Sequence, residues 1–303
     1  MELEFKPVVA GDIDRLRPFY GLRPNKTCDS VFLDSFLWKD YYHVQCAVSE
    51  GRAVLWLMEK DGQVSTAMPL CREEDLPYFF QQMVDYFSGV LHKPFYISLA
   101  DEEAVQYLNL DPALFEVEEQ VDLKDYLYSG EELRKLEGKK FVKKRNHLNG
   151  FKRMYEGRYE YRRLCCSDRH EVWQFMERWR QHREEVGAME LSLDYEVAGI
   201  HDILKNCSSL YVRMAGVYID GQLEAFTIGS LNVRENMAVI HIEKANPEIR
   251  GLYQFINQQF LINEFPQAEL VNREDDVGME GLRKAKMSYY PIGFARKYMV
   301  RER

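Results

Sequence analysis

The chain has 303 residues, of which 46% are apolar, 29% charged and 13% aromatic. That composition excludes a disordered chain, and the densest apolar run, Ala53–Met58, is far short of the ~20 residues that cross a bilayer. A net charge of −9 argues against indiscriminate nucleic-acid binding by the whole surface, and the length suggests about two domains.

In chain order, Phe5–Val9 followed by Asp12 predicts a short strand running into a helix start. Leu55–Met58 and Val64–Met68 flank Asp61-Gly62, the signature of a strand, a tight turn and a second strand. Tyr96–Ala100 predicts a buried strand that enters an acidic helix start at Asp101–Glu103. The segment 130–156 shows apolar positions at Leu133, Leu136, Phe141 and Leu148 and predicts a bridging helix or two.

The same signals then return. Tyr161–Ser167 before Asp168 repeats the first pattern 156 residues on, with Val172, Phe175, Met176 and Trp179 at helical spacing. Val217–Ile219 and Leu223–Ile228 around Asp220-Gly221 repeat the hairpin at an offset of 159. Leu270–Asp276 repeats the buried strand and acidic helix start at about 173. Three matches in order predict an internal duplication. On this alignment the first copy is about 14 residues shorter after its hairpin, so the strand opposite 237–247 is missing from it.

The second copy reads strand 158–165, helix 168–185, hairpin 209–232, strand 237–245, helix 250–264, strand 268–272, helix 277–289 and strand 293–300. This order predicts an α/β fold with mixed, partly antiparallel sheets. The expected domains are a degenerate N-terminal unit over 1–130, a basic helical connector over 131–156, and a C-terminal unit over 157–303 that carries the active pocket between strands 237–245 and 268–272.

Between Lys139 and Arg153 stand seven basic residues and no acidic one; removing those seven charges from −9 leaves the remainder at −16. Lys143, Lys144, Arg145 and Asn146 in this run are candidates for a nucleic-acid backbone, against the plainer reading of a solvated helix face. The six cysteines form no CxxC, and the start of the chain lacks the basic-then-apolar pattern of a secretory signal. Reduced thiols and a cytoplasmic location are therefore expected. Seven scattered histidines give no ligand set, so no metal is expected.

Gly281-Leu-Arg-Lys-Ala285-Lys-Met-Ser-Tyr289-Tyr-Pro-Ile-Gly293-Phe294, at the end of the second copy, resembles the close of the GNAT acyltransferase fold. A narrower resemblance rests on Asn272-Arg-Glu-Asp-Asp-Val-Gly278, Leu282–Lys286, Tyr290-Pro291, Lys140–Phe151 and Phe36-Leu-Trp38. These segments resemble the C-terminal domain of bacterial phosphatidylglycerol lysyltransferases and their soluble relatives, over nearly the whole chain. Tandem GNAT units are also those of the Fem-type aminoacyltransferases. The resemblance implies two tandem GNAT-like units and acyl transfer, with aminoacyl-tRNA favoured as donor and a small-molecule or peptide acceptor bearing an amine or hydroxyl. An acyl-CoA-dependent N-acyltransferase and a non-catalytic ligand-binding module are the alternatives. No further cofactor is required in any of these readings.

Residue roles follow from that resemblance. In GNAT enzymes a Gln/Arg-x-x-Gly-x-Gly/Ala turn cradles pyrophosphate on backbone N–H groups. Here the turn is Glu248-Ile-Arg250-Gly251-Leu-Tyr253. Arg250 and Gly251 are the cofactor-binding candidates, while Glu248 repels phosphate and the Tyr253 ring, a candidate substrate contact, fills the cradle. Glu243, which shares a strand face with His241, is the candidate general base, or else part of a salt bridge with Lys244 or a neighbour. Tyr289 is the candidate general acid or oxyanion donor, or a packed ring. Asn272, Arg273, Glu274, Asp275 and Asp276 follow a strand end, where open α/β sheets bind ligands; their carboxylates suit an aminoacyl ammonium, or helix capping. Arg283 and Lys286, at i and i+3, suit a phosphate.

Overall fold

The computed structural model describes residues 3–185 and 193–303. The first half of the chain contains β1 (Lys6–Pro7), α1 (Ile13–Tyr20), α2 (Phe32–Leu37), β2 (Gln45–Ser49), β3 (Ala53–Lys60), β4 (Gln63–Ser65), α3 (Leu76–Tyr86), β5 (Tyr96–Asp101), α4 (Glu102–Leu108), β6 (Phe115–Glu119) and β7 (Asp125–Ser129). Then come α5 (Gly130–Lys135) and α6 (Val142–Met154). The second half contains β8 (Tyr159–Arg163), α7 (Arg169–Glu185), α8 (Leu193–Asn206), β9 (Arg213–Ile219), β10 (Gln222–Asn232), β11 (Met237–Ala245), α9 (Leu252–Glu264), β12 (Leu270–Asn272), α10 (Glu280–Met287), β13 (Gly293–Ala295) and β14 (Lys297–Glu302).

The two halves share one topology. Strands β1-β2-β3-β4 form one sheet, and a parallel bridge from Thr66 to Ile97 leads on to the sheet β5-β14-β6. The second half forms a single sheet in the order β8-β9-β10-β11-β12-β7-β13. Each half thus lays out four antiparallel strands, a parallel fifth, and a closing pair. The closing strand is exchanged: β7 of the first half lies between β12 and β13, and β14 of the second lies between β5 and β6. Neither half completes its sheet without a strand from the other.

This topology corrects the alignment of the repeat. In strand order, the Asp220-Gly221 turn between β9 and β10 corresponds to Glu50-Gly51 between β2 and β3, not to Asp61-Gly62. All three pairs have both residues at positive φ, the conformation of a two-residue hairpin turn, so local sequence could not tell them apart. The first copy does have the fourth strand, as the three-residue β4 against the nine-residue β11. The extra length lies before the hairpin: 52 residues separate Asp168 from Asp220, and 38 separate Asp12 from Glu50. It is spent in α7 and α8, of 17 and 14 residues, against 8 and 6 in α1 and α2.

Those four helices cover one face. Leu33, Phe36 and Leu37 of α2 share a core with Phe175 of α7 and with Ile200 and Ile203 of α8, joining the two halves through apolar burial. The close approach needs Gly199, where a Cβ would stand 2.2 Å from the Leu37 carbonyl oxygen. Cys166, before α7, is disulfide-bonded to Cys207, just after α8, with Cα atoms 5.8 Å apart. The expectation of six reduced thiols fails for this pair: the two cysteines are 41 residues apart, and only the antiparallel return of α8 brings them together. Among the described residues no helix is long and apolar enough to cross a membrane.

Candidate active site

Strands β11 and β12 pair in parallel at three positions only, ending at Val239↔Asn272. Beyond them β11 runs on to Ala245, while the other chain leaves the sheet as the loop 273–279. The two diverge, and alternate side chains of β11 stand in the wedge.

His241 is the first of these. Its Nε2 lies 2.7 Å from Ser230 Oγ and its Nδ1 2.9 Å from Glu274 Oε1. Burial lowers the imidazole to about 3 and pushes the Glu274 carboxyl well above its usual range. Both shifts point to a neutral hydrogen-bonded pair rather than an ion pair.

Glu243 comes next. Its Oε1 accepts from Arg273 Nη2 at 2.8 Å and its Oε2 from Asn257 Nδ2 at 2.8 Å. The Glu243 ion pair is therefore with Arg273, since Lys244 turns to Glu196 at 2.8 Å. The Arg273 guanidinium lies against the rings of Tyr289, at 4.8 Å, and Tyr128, at 5.9 Å. Its Nη1 is buried without a hydrogen-bond partner among the described residues. The Tyr289 phenol, hydrogen-bonded to Gln254 and Arg273, is held by burial at about 12, so it keeps its proton. Lys144 Nζ sits 3.9 Å from the Tyr289 ring centre and donates to Ser288 Oγ at 2.6 Å. Burial, with Arg273 and Lys143 nearby, lowers this lysine to about 8. One side of the wedge thus gathers a guanidinium, a readily deprotonated amine and a phenol.

The loop is rigidly held. Glu274 and Val277 both adopt left-handed backbone, at φ +57° and +44°, which costs a non-glycine residue ~1–3 kcal/mol unless its surroundings enforce it. Here they do: Arg273 N–H donates to the Tyr126 carbonyl at 3.1 Å, and Tyr126 N–H donates to the Glu274 carbonyl at 3.2 Å. Buried Lys286 donates to the Arg273 carbonyl at 2.6 Å and to that of Asp275. Asn272 donates to the Lys26 carbonyl and to Asp125 and accepts from Glu274 N–H. Asp276 accepts from Arg283, Tyr126 and Gly278 N–H, and Arg283 also reaches Asp122. These bonds give Asn272, Asp276, Arg283 and Lys286 structural work.

The Arg283 guanidinium holds the Asp276 carboxyl at about 2. A depressed folded pKa contributes stability above the unfolded value near 4, and that stability fades as pH falls toward 2. Asp276→Asn is therefore expected to cost about 2 kcal/mol at pH 7 and much less at pH 2.5. Urea unfolding at both pH values checks this, and an equal loss at both would refute it.

A second charged group lies beside the loop. Asp125, fully buried, receives Cys28 N–H at 2.6 Å and lies 2.8 Å from Lys297 Nζ. Lys297 also approaches Cys28 Sγ at 3.2 Å and Asp275 at 3.7 Å. Asp125 opens β7 and Lys297 opens β14, so a buried ion pair joins the two exchanged strands where they cross. Carboxylate oxygens of Asp34 and Glu274 and the Cys28 sulfur lie within 4.8 Å of one another. From there a cavity that opens to solvent extends into the first half of the molecule, lined by Asp29, Asp34, Trp38, Tyr42 and Trp56 among others. Sequence reasoning missed Asp29, Asp34, Asp125 and Lys297, whose positions in the chain carry no shared motif.

The remaining candidates lie around the start of α9. Gly251 adopts φ +90°, and a Cβ there would stand 2.3 Å from the His147 carbonyl oxygen, so α6 rests directly on this turn. The Tyr253 ring is half-buried, its oxygen accepting from Ala245 N–H and the Trp179 indole. Arg250 lies exposed, 3.4 Å from His147 Nε2. Within the basic run, Arg145 turns inward to the carbonyls of Leu136 and Gly138, while Lys143 and Asn146 are exposed.

Comparison with known proteins places this geometry in context. The family described as phosphatidylglycerol lysyltransferase, C-terminal, matches residues 21–301. An uncharacterized protein of Mycoplasmoides gallisepticum is 28% identical over 178 residues, 58% of this chain and 56% of that protein; the chain thus spans about half the length of the curated relative it matches. A solved protein of unknown function from Bacteroides thetaiotaomicron is 28% identical, covers 100% of both chains and superposes with a TM-score of 0.90. The L-PGS structure from Bacillus licheniformis is 15% identical over 99% of this chain and 94% of its own, at 0.69. FemX is 11% identical over 98% and 97%, at 0.64. These last two likenesses are likenesses of fold.

Proposed function

We propose that this chain, which belongs to the phosphatidylglycerol lysyltransferase C-terminal family, is an acyltransferase that moves an aminoacyl group from a charged tRNA to a small-molecule or peptide acceptor through an amine or hydroxyl. The observation that carries the choice of donor is the closed turn at Gly251. Pyrophosphate binding needs free N–H groups at a helix start and room for the phosphates. Here α6 lies against Gly251 and the half-buried Tyr253 ring stands beside it, its oxygen taking the Ala245 N–H. That leaves an acyl-CoA poorly accommodated. The helix covering the turn carries the exposed Lys143 and Asn146, suited to a ribose-phosphate end.

In this reading the ester bond to the terminal ribose breaks and a bond to the acceptor nitrogen or oxygen forms. Arg273 and Tyr289 stabilise the developing oxyanion. Lys144, unprotonated in a useful fraction near neutral pH, takes the acceptor's proton, and the ribose oxygen leaves with a proton. Glu243 acts through Arg273 as a positioning residue.

Titration of the purified protein with total charged tRNA and with acetyl-CoA, each at two salt concentrations, tests this. Charged tRNA is expected to bind with affinity that falls steeply with salt, and Lys143→Glu to weaken it by about tenfold at low salt. Tight acetyl-CoA binding would overturn the reading in favour of an N-acyltransferase, and binding of neither would favour a non-catalytic module.

A further inference from the structure

We propose that the Lys144 amine is itself an acylation site: when no acceptor is present it takes the acyl group of an activated ester or thioester as a stable amide, and so shuts off the wedge. The inference rests on the transfer reading for what brings the acyl group, and it gives that site a limit on its own turnover.

The placement of the amine supplies the first observation. Lys144 lies half-buried on α6. Its Nζ stands 3.9 Å from the centre of the Tyr289 ring and donates to Ser288 Oγ at 2.6 Å. Ser288 in turn donates to the Ala285 carbonyl, so its oxygen is left to accept. Among the described residues no carboxylate pairs with Lys144, whereas Lys135, Lys140, Lys284 and Lys297 each have one. The titratable and charged groups around it are Arg273 from the loop after β12, Tyr289 from the chain after α10, and Lys143 and His147 of α6, with Arg250 beside His147. The wedge carboxylate Glu243 is spent on Arg273 and Asn257. These surroundings favour the amine over the ammonium.

The donors beside the amine supply a second, independent observation. Arg273 lies 4.8 Å from the same ring, and its Nη1 is buried without a hydrogen-bond partner among the described residues. A buried donor of this kind is costly until an oxygen meets it. The Tyr289 phenol, held protonated by burial, stands with it. A nucleophile and an unspent donor against one ring are the two parts that attack on an acyl carbon requires.

The step balances within the site. The neutral amine keeps two N–H bonds, one of them spent on Ser288, and offers its lone pair to the acyl carbon. The Nζ–C bond forms while the carbonyl oxygen takes negative charge beside Arg273. The C–O or C–S bond to the leaving group then breaks, and the leaving oxygen or sulfur departs with the proton that the nitrogen gives up. The amide that results carries no charge and no basic lone pair, so it cannot take an acceptor's proton. An acceptor that reaches the acyl group first spares the lysine, and a donor without an acceptor modifies it.

The test incubates the full chain with p-nitrophenyl acetate and follows the acetylated lysines by peptide mass spectrometry. At pH 8 Lys144 is expected to react about tenfold or more faster than its exposed neighbour Lys143, with a rate that reaches half its plateau near pH 8. Arg273→Gln is expected to slow Lys144 by about tenfold or more at pH 10, where the amine is unprotonated, and to leave Lys143 unchanged. Lys144→Arg is expected to lose that adduct at an unchanged melting temperature. Equal rates at Lys144 and Lys143, a Lys144 midpoint near the ordinary lysine value of about 10, or an Arg273→Gln chain labelled as fast as the parent would each overturn the proposal. This readout needs no tRNA. The chain acetylated at Lys144 is then assayed for transfer from charged tRNA, with a loss of about 100-fold expected; full transfer by it would overturn the shut-off. Labelling of Lys144 in a chain that transfers from no charged tRNA would sink the transfer reading and keep the acylation site.

Discussion

Arg273→Gln is expected to slow aminoacyl transfer by about 100- to 1,000-fold in single-turnover assays, the usual cost of removing one donor to a developing oxyanion. Arg273 is the residue on which the wedge converges: Glu243 fixes one guanidinium nitrogen, Tyr289 and Tyr128 flank its plane, and Nη1 has no hydrogen-bond partner among the described residues. Arg273→Lys is expected to fare little better, because an ammonium lacks the planar fork that can meet Glu243 and a second group together. The same substitution carries a signature that a merely structural role would not produce. Arg273 is one cause of the lowered Lys144 affinity for protons. Removing its charge therefore raises the Lys144 pKa and moves the alkaline rise of the rate profile to higher pH. A variant within threefold of the parent rate, with an unmoved profile, would remove Arg273 from the chemistry.

Lys297→Met is expected to destabilise the protein by about 3–5 kcal/mol, because it leaves a buried carboxylate without its cation. Asp125 is 0% and Lys297 1% exposed, with Nζ and Oδ1 2.8 Å apart. The pair sits at the crossing of the two exchanged strands, so its loss weakens the closing strand of both sheets at once. Adding Asp125→Asn to Lys297→Met is expected to recover part of the loss, since the orphaned charge is then gone. Urea midpoints of the parent, both single variants and the double variant measure this coupling. A loss below about 1 kcal/mol, or no recovery in the double variant, would mean that water or movement relieves the buried charge.

Where the polar and apolar residues alternate regularly, the sequence was read closely. The predicted strand 237–245 coincides with β11 (Met237–Ala245), and helix 168–185 differs from α7 (Arg169–Glu185) by one residue. Those signals are local: a side chain's period and the residues that cap or turn it. The site was legible in part. Glu243, Arg273 and Tyr289 do come together, whereas Asp276, Arg283 and Lys286 spend their polar atoms on holding the loop. Lys144, placed in sequence among solvated cations, sits instead on the Tyr289 ring, because the turn at Gly251 lets α6 pack flat against α9.

By itself the sequence determined the mixed α/β class, the duplication, the basic helix and the closing motif that marks the family, because each is written in residues close together in the chain. The tertiary structure decided what depends on distant residues meeting. It chose which of three chemically similar hairpin turns aligns with which, since strand order rather than turn chemistry sets that register. It exchanged β7 and β14, bonded Cys166 to Cys207 and brought Asp29, Asp34, Asp125 and Glu274 around Lys297. No local period links those positions. Burial makes a group of like charges costly enough to matter, and burial is a property of the folded molecule alone.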